Sequence, residues 1–296
     1  MVKQRVLFLG SGRLGNQLFQ WVALNRYFPE AEIIAPSMCA LATVIETGQR
    51  LKMESDSYFF RRAIRSKHWR RWLRRAYKGL KLGGYGFEPD IQLDYCRKLP
   101  SGVLEISRPE SSTVFVNGGY FQNLRNFLDT KDFQCLRLHD ALLARARAAI
   151  RATIGSGPWP QFAMHVRRTD YLQFEIYGLS DVVLPAEYFL RAAKYIRDRF
   201  AFPGPALVVT DDPEWCAATL AEIGPYYVLH ETEQIDFAAL TMFPCLVISN
   251  SSFSLAAACM ATQVEHVIAP KYWFGHRVGK WYPPYIESTD PRFIYL

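Results

Sequence analysis

Short apolar runs alternate with longer stretches in which apolar residues recur at helical spacing. Strands punctuated by helices have this pattern. In the first half, the run at 6–9 predicts a strand, and 10–15 is a glycine-rich turn. Residues 16–27 then predict a helix and 32–35 a second strand. A further strand is predicted at 114–116, ahead of the turn Asn117-Gly118-Gly119. An alanine- and arginine-rich helix is predicted over 139–154. Gly155-Ser-Gly-Pro-Trp-Pro is the clearest linker in the chain.

The second half alternates more regularly. Strands are predicted at 162–166, 206–210, 227–229, 246–249 and 267–269. Helices are predicted at 186–200, from Pro213, at 236–243 and at 254–261. Such alternation predicts a parallel, doubly wound sheet. With 296 residues, the chain suits two domains of about 150 residues. The linker divides it into 1–155 and 156–296, both α/β.

Composition excludes several classes. Half of the residues are apolar, which excludes a disordered chain. The six cysteines are scattered and form no CxxC pair, so neither a zinc site nor a disulfide framework is suggested. The N-terminal apolar run is too short for a signal peptide, and the longest one, 237–248, contains Pro244 and is too short to cross a membrane. A cytoplasmic location is the expectation.

The net charge of +7 is local. Residues 57–87 hold ten Lys/Arg and no acid, leaving 25 bases against 28 acids elsewhere. Within this basic arm Trp69, Trp72, Leu73, Ala76 and Leu80 recur at helical spacing. The arm suits an anionic membrane surface, giving peripheral contact at a membrane's inner face. Its tryptophans would also suit base stacking. Because the rest of the chain is acidic, a nucleic-acid partner is not expected.

The chemistry concentrates where strands end. His165 and Arg167 share one face of the strand at 162–166, and Arg168 points to the other. A histidine beside a guanidinium makes an anion site, because the planar guanidinium donates two parallel hydrogen bonds to phosphate. A surface salt bridge is the dull alternative. Ser249-Asn250-Ser251-Ser252-Phe253-Ser254 joins a strand to a helix. Its hydroxyls and free N–H groups form a phosphate cradle, where plain capping would need one such residue. Thr210-Asp211-Asp212-Pro213 reads first as a helix cap. Asp236, at a predicted helix start, is a cap or a carboxylate able to accept two N–H bonds from guanine.

Gly10-Ser-Gly12-Arg13-Leu-Gly15 matches a dinucleotide fingerprint, but no acidic residue ends the second strand, as that motif requires. A tight glycine turn is one alternative. The other is that Arg13 and Asn16 face a cleft between domains.

Taken together, these segments resemble the α1,2-fucosyltransferases of glycosyltransferase family 11, within the wider GDP-fucose-dependent superfamily. The resemblance rests on Gly12-Arg-Leu-Gly-Asn-Gln-Leu-Phe-Gln-Trp, Gly119-Tyr-Phe-Gln-Asn-Leu-Arg-Asn-Phe, His165-Val-Arg-Arg-Thr-Asp, Thr210-Asp-Asp, Asn250-Ser-Ser-Phe-Ser and Ile268-Ala-Pro-Lys-Tyr-Trp-Phe. The chain departs from the family at Arg13 and at Leu255-Ala-Ala-Ala.

The resemblance implies a GT-B fold, two Rossmann-like domains with a cleft between them, residues 1–155 on the acceptor side and the donor in the C-terminal domain. It implies inverting, metal-independent transfer of L-fucose from GDP-β-L-fucose, with no cofactor. A galactose-terminated oligosaccharide or glycolipid would be the acceptor and an α1,2-fucoside the product. Arg167 would hold the β-phosphate, His165 and Asp236 the guanosine, and Asn250, Ser251, Ser252 and Phe253 the phosphate side. Gly12, Arg13 and Asn16 would contribute from the N-terminal domain, with Asn16 and Arg167 nearest the chemistry. Another GDP-sugar, another fucose linkage, a catalytically dead sugar-nucleotide binder, or a non-enzymatic membrane or nucleic-acid binder are the alternatives.

Overall fold

The computed structural model describes residues 4–8, 10, 12–35, 37–47, 51–52, 68, 75, 113–116, 119–125 and 128–296. The basic arm expected at 57–87 lies outside these residues, apart from His68 and Arg75.

The chain forms two compact units, Met1–Gln122 with Asn126–Leu128, and Asn123–Arg125 with Asp129–Leu296. In the first, strands β1 (Arg5–Phe8), β2 (Glu32–Ile34), β3 (Leu51–Lys52) and β4 (Thr113–Val116) form a parallel sheet ordered β3-β2-β1-β4. Helix α1 (Leu14–Tyr27) follows β1 and buries Leu14, Leu18, Trp21 and Val22 at helical spacing. Short helix α2 (Cys39–Ala42) follows β2.

The second unit contains helices α3 (Thr130–Phe133), α4 (Asp140–Ile154), α5 (Ala186–Phe200), α6 (Pro213–Thr219), α7 (Glu233–Leu240) and α8 (Ser252–Met260). Its strands are β5 (Phe162–Val166), β6 (Ala206–Thr210), β7 (Tyr226–Leu229), β8 (Cys245–Val247), β9 (His266–Ala269) and β10 (Phe293–Tyr295). All pair in parallel, in the order β10-β9-β8-β5-β6-β7. Strands β5, β6 and β8 are buried throughout, as strands covered on both faces must be. Phe162, Met164 and Val166 pack with Tyr188, Phe189, Ala192 and Ile196 of α5 in one core. The intervening Ala163 and His165 therefore face the other side of the sheet.

The linker expected to divide the chain at residue 155 lies inside the second unit. Helix α4 buries Leu142, Ala146, Ile150 and Ile154 as one stripe and packs on α7. Just beyond it, Trp159 stacks on Phe243 at 6.2 Å. Burial of that stripe draws the segment into the second unit despite its glycines and prolines. Strand β10 was not among the expected strands.

Candidate functional site

The connectivity of the second sheet places the site. From β5 the chain runs outward through β6 and β7, then returns to the other side of β5 and continues through β8, β9 and β10. The switch point lies between β5 and β8, and ligands of open α/β sheets bind outside the strand carboxyl ends there. His165 and Arg167 lie at the end of β5, and Ser249–Ser252 follow β8.

His165 is buried, and its Nδ1 lies 2.8 Å from Ser249 Oγ. Its ring stands 5.3 Å from that of Phe253, which also meets Phe237 edge-on. Burial, reinforced by the Arg167 charge, lowers its pKa to about 3. It is therefore neutral near pH 7. The positive charge belongs to Arg167 alone.

Arg167 Nη2 donates to Asp170 Oδ2 at 2.7 Å, and its Nη1 lies 3.1 Å from Asp211 Oδ2. Burial works against its charge, but the two carboxylates hold its pKa above the usual value. Asp211 also accepts the backbone N–H groups of Arg168 (2.9 Å) and Thr169 (3.2 Å) and the Thr169 hydroxyl. One carboxylate thus fixes the turn after β5 and one edge of the guanidinium. The capping role expected in this motif falls to Asp212, which accepts from Trp215 N at 3.1 Å. Arg168 diverges from Arg167 as alternation requires. It pairs with Asp212 at 3.2 Å and lies over Trp215 at 3.9 Å.

Helix α8 begins at Ser252, two residues earlier than expected, with Ser251 as its N-cap. The Ser251 hydroxyl accepts from Phe253 N at 3.4 Å. The N–H groups of the first turn point out of the helix toward the strand ends. Asn250 follows β8 and precedes that cap. It is fully buried, and its amide donates to Val182 O at 2.6 Å, which anchors the loop.

Tyr171, which sequence reasoning missed, ties the two sides together. Its hydroxyl donates to Asn250 O at 3.2 Å, and the Arg167 guanidinium carbon lies 5.9 Å from its ring centre. Burial pushes its phenol up to about 12, so it stays protonated and donates. The only sequence signal was an aromatic residue four places after Arg167.

Asp236 is the fourth residue of α7 and not its opening; Thr232 is the N-cap. Its Oδ1 accepts from Glu231 N at 3.1 Å. Burial raises its pKa to about 6, although the Glu231 N–H bond and His230 oppose this.

Gly12, Arg13 and Asn16 lie in the first unit at the start of α1. Gly12 has φ +93°, and a Cβ there would clash with the Asn16 side chain, so this turn calls for glycine. Asn16 Oδ1 accepts from Gln122 Nε2 at 2.6 Å. Gln17 donates to Gly12 O (3.2 Å) and accepts from Leu41 N (3.0 Å). Arg13 is exposed at the N-cap position.

Among the described residues no group of three or more His, Cys, Asp or Glu side chains could hold a metal ion. No described helix is long and apolar enough to cross a membrane.

A profile of glycosyl transferase family 11 matches residues 11–280. The chain belongs to glycosyl transferase family 11. It is 31% identical over 120 residues to the O-antigen biosynthesis glycosyltransferase WbnK of Escherichia coli, covering 38% of each protein. It is 28% identical over 265 residues to the galactoside alpha-(1,2)-fucosyltransferase 1 of Alouatta belzebul, covering 84% of this chain and 63% of the relative. The matches therefore span less than two thirds of either relative's length. Among solved structures, POFUT1 in complex with GDP superposes with a TM-score of 0.54 at 11% identity, covering 87% of this chain and 95% of that one. The two Rossmann-like units are those of the GT-B fold, as the family resemblance implied.

Proposed function

We propose that this family 11 protein transfers L-fucose from GDP-β-L-fucose to a galactose hydroxyl, with inversion, giving an α1,2-fucoside. The observation that carries the reading is the pairing of Arg167 at the end of β5 with the Ser251-capped start of α8 beyond the adjacent β8, tied through Tyr171. A fixed cation and a helix N-terminus beside a switch point suit a pyrophosphate.

The chemistry follows from the leaving group. As the C1–O bond breaks, charge grows on the β-phosphate. Arg167 and the first-turn N–H groups of α8, with the Ser251 and Ser252 hydroxyls, stabilise that charge. Asp170 and Asp211 hold Arg167 meanwhile. With GDP stabilised, the sugar becomes oxocarbenium-like and the acceptor oxygen attacks the opposite face. The acceptor proton passes to a carboxylate or to water. Asp236 accepts two N–H donors of guanine, and neutral His165 supports the nucleoside side. Charge stabilisation by arginine and helix N–H groups makes the proposed reaction metal-independent.

Alouatta belzebul's relative, named as a galactoside alpha-(1,2)-fucosyltransferase, supports the linkage and acceptor. Incubation with GDP-fucose and a panel of galactose-ended oligosaccharides, read by mass and by NMR of the new linkage, tests the reading. An α1,2-linked fucose on terminal galactose is the expected product. Transfer from a different GDP-sugar, or no transfer, would refute it.

The ten bases of 57–87 further support a proposed contact with anionic membrane. Sedimentation with anionic vesicles at low salt tests it, and failure to co-pellet rejects it.

A further inference from the structure

Exposed large apolar side chains of the second unit fall on two segments, one of them just after Arg167. Leu172, Phe174, Tyr177 and Val278 are all at least one-third exposed, and all lie on the segments 169–181 and 271–282 of the second unit. Those segments meet through their rings. Phe174 stacks on Tyr171 with centroids 5.4 Å apart and planes 13° from parallel. Phe274 closes against both, at 5.9 Å from Tyr171 and 6.3 Å from Phe174. Tyr177 meets Tyr282 at 6.1 Å.

The arrangement is a supported platform. Phe274 is buried beneath it, and the Tyr171 hydroxyl is anchored to Asn250 O, so the Tyr171–Phe174 stack has a fixed base. Phe174 is 38% exposed although its partners are not. An aromatic ring held at the surface by other rings, instead of being folded into the core, offers a face to a ligand.

We propose that the Tyr171–Phe174–Phe274 platform, with Tyr177 further along the same segment, docks the acceptor, receiving the C–H face of a neutral pyranose. This inference rests on the glycosyltransferase reading above and says where the acceptor sits. Three features favour that occupant. The platform continues directly from the donor-phosphate site, because Tyr171 belongs to both. Its two segments carry three acids (Asp170, Glu175, Asp181) and three bases (Lys271, Arg277, Lys280), a balance that suits an uncharged ligand better than an anionic surface. A pyranose presents an apolar C–H face to the negative ring face, while its hydroxyls meet polar groups, which the same segment supplies in the exposed Glu175 and Tyr177.

The test is calorimetric binding of lactose to the full chain in the presence of GDP, in wild type and in Phe174→Ala, Tyr177→Ala and Phe174→Trp. The expected result is that Phe174→Ala weakens lactose binding roughly tenfold or more, that Tyr177→Ala weakens it less, and that Phe174→Trp preserves it. GDP affinity should stay within about twofold of wild type in all three, which also shows that the variants are folded. Equal lactose affinity in wild type and Phe174→Ala overturns the proposal, as does GDP binding by wild type with no lactose binding. Vesicle binding lost in the same variants, with lactose binding unaffected, would reassign the surface to membrane and overturn it too. Failure of wild type to bind GDP refutes the donor reading separately, and lactose binding lost in Phe174→Ala would still uphold the platform.

Discussion

Arg167 and Asp211 face each other across neighbouring strand ends, with Arg167 Nη1 3.1 Å from Asp211 Oδ2. Asp211 holds the guanidinium and, through the N–H groups of Arg168 and Thr169, the turn that carries it. Asp211→Asn keeps the shape but loses the charge and turns a donor toward other donors. It should lower kcat roughly 10- to 100-fold by misplacing Arg167, with a smaller change in melting temperature. Steady-state kinetics beside a thermal melt checks this; unchanged kcat would show that Arg167 positions itself.

Arg167→Ala should cost roughly 10²–10³ in turnover, as for loss of an oxyanion donor. Arg168→Ala removes the contacts with Trp215 and Asp212 and should act mainly on stability. Paired measurement of kcat and melting temperature separates the two. Equal kinetic losses with intact folding would contradict the divergence of the two side chains.

Asp236 is held at an unfavourable pKa of about 6, raised by burial. A carboxyl whose folded pKa is raised binds its proton more tightly when folded, so it destabilises the fold increasingly as pH rises through the window from about 4 to about 6. Asp236→Asn should therefore stabilise the fold at pH 7, because its amide oxygen can still accept from Glu231 N. The same change should weaken GDP binding roughly 5- to 150-fold, by leaving paired donors unmet. Wild-type affinity for GDP should also fall below pH 6 as the carboxylate protonates, and that fall should vanish in Asp236→Asn. Calorimetry across pH, with UDP as the weak-binding comparison, decides the assignment; unaltered GDP affinity in the variant removes Asp236 from base recognition.

His165 is held neutral, with its pKa lowered to about 3 by burial and by Arg167. Between pH 6.5 and about 3 the unfolded chain binds the proton and the folded one does not. Stability is then lost as pH falls through that window, by up to about 5 kcal/mol at its lower end. His165→Gln should flatten the acid side of the stability profile between pH 6.5 and 4. Chemical denaturation of both proteins at several pH values checks it, and parallel profiles would rule it out.

Strong chelation should leave the transfer rate within about twofold, against order-of-magnitude losses where a Lewis acid carries the charge. Activity in EDTA, with and without added magnesium, is the measurement. A collapse reversed by metal would overturn the proposed role of Arg167.

Much of the second unit was legible because its core strands are buried on both faces and therefore read as unbroken apolar runs. Capping chemistry likewise placed α6 correctly, since Asp212 and Pro213 start it as their residue types require. Alternation along β5 was enough to separate Arg167 from Arg168. These are local rules, acting over a few residues.

The tertiary structure decided what depends on neighbours distant in sequence. The neutrality of His165 follows from burial beside Ser249, 84 residues away. Asn250 is turned inward, its amide donating to Val182 O, 68 residues away, and Asp211 became an anchor because β5 and β6 are adjacent. Helix α4 joined the second unit because its apolar stripe found α7. Residue type and spacing determined which groups could bind phosphate. Burial and pairing between strand ends, which no local pattern encodes, decided which carry charge and which face outward.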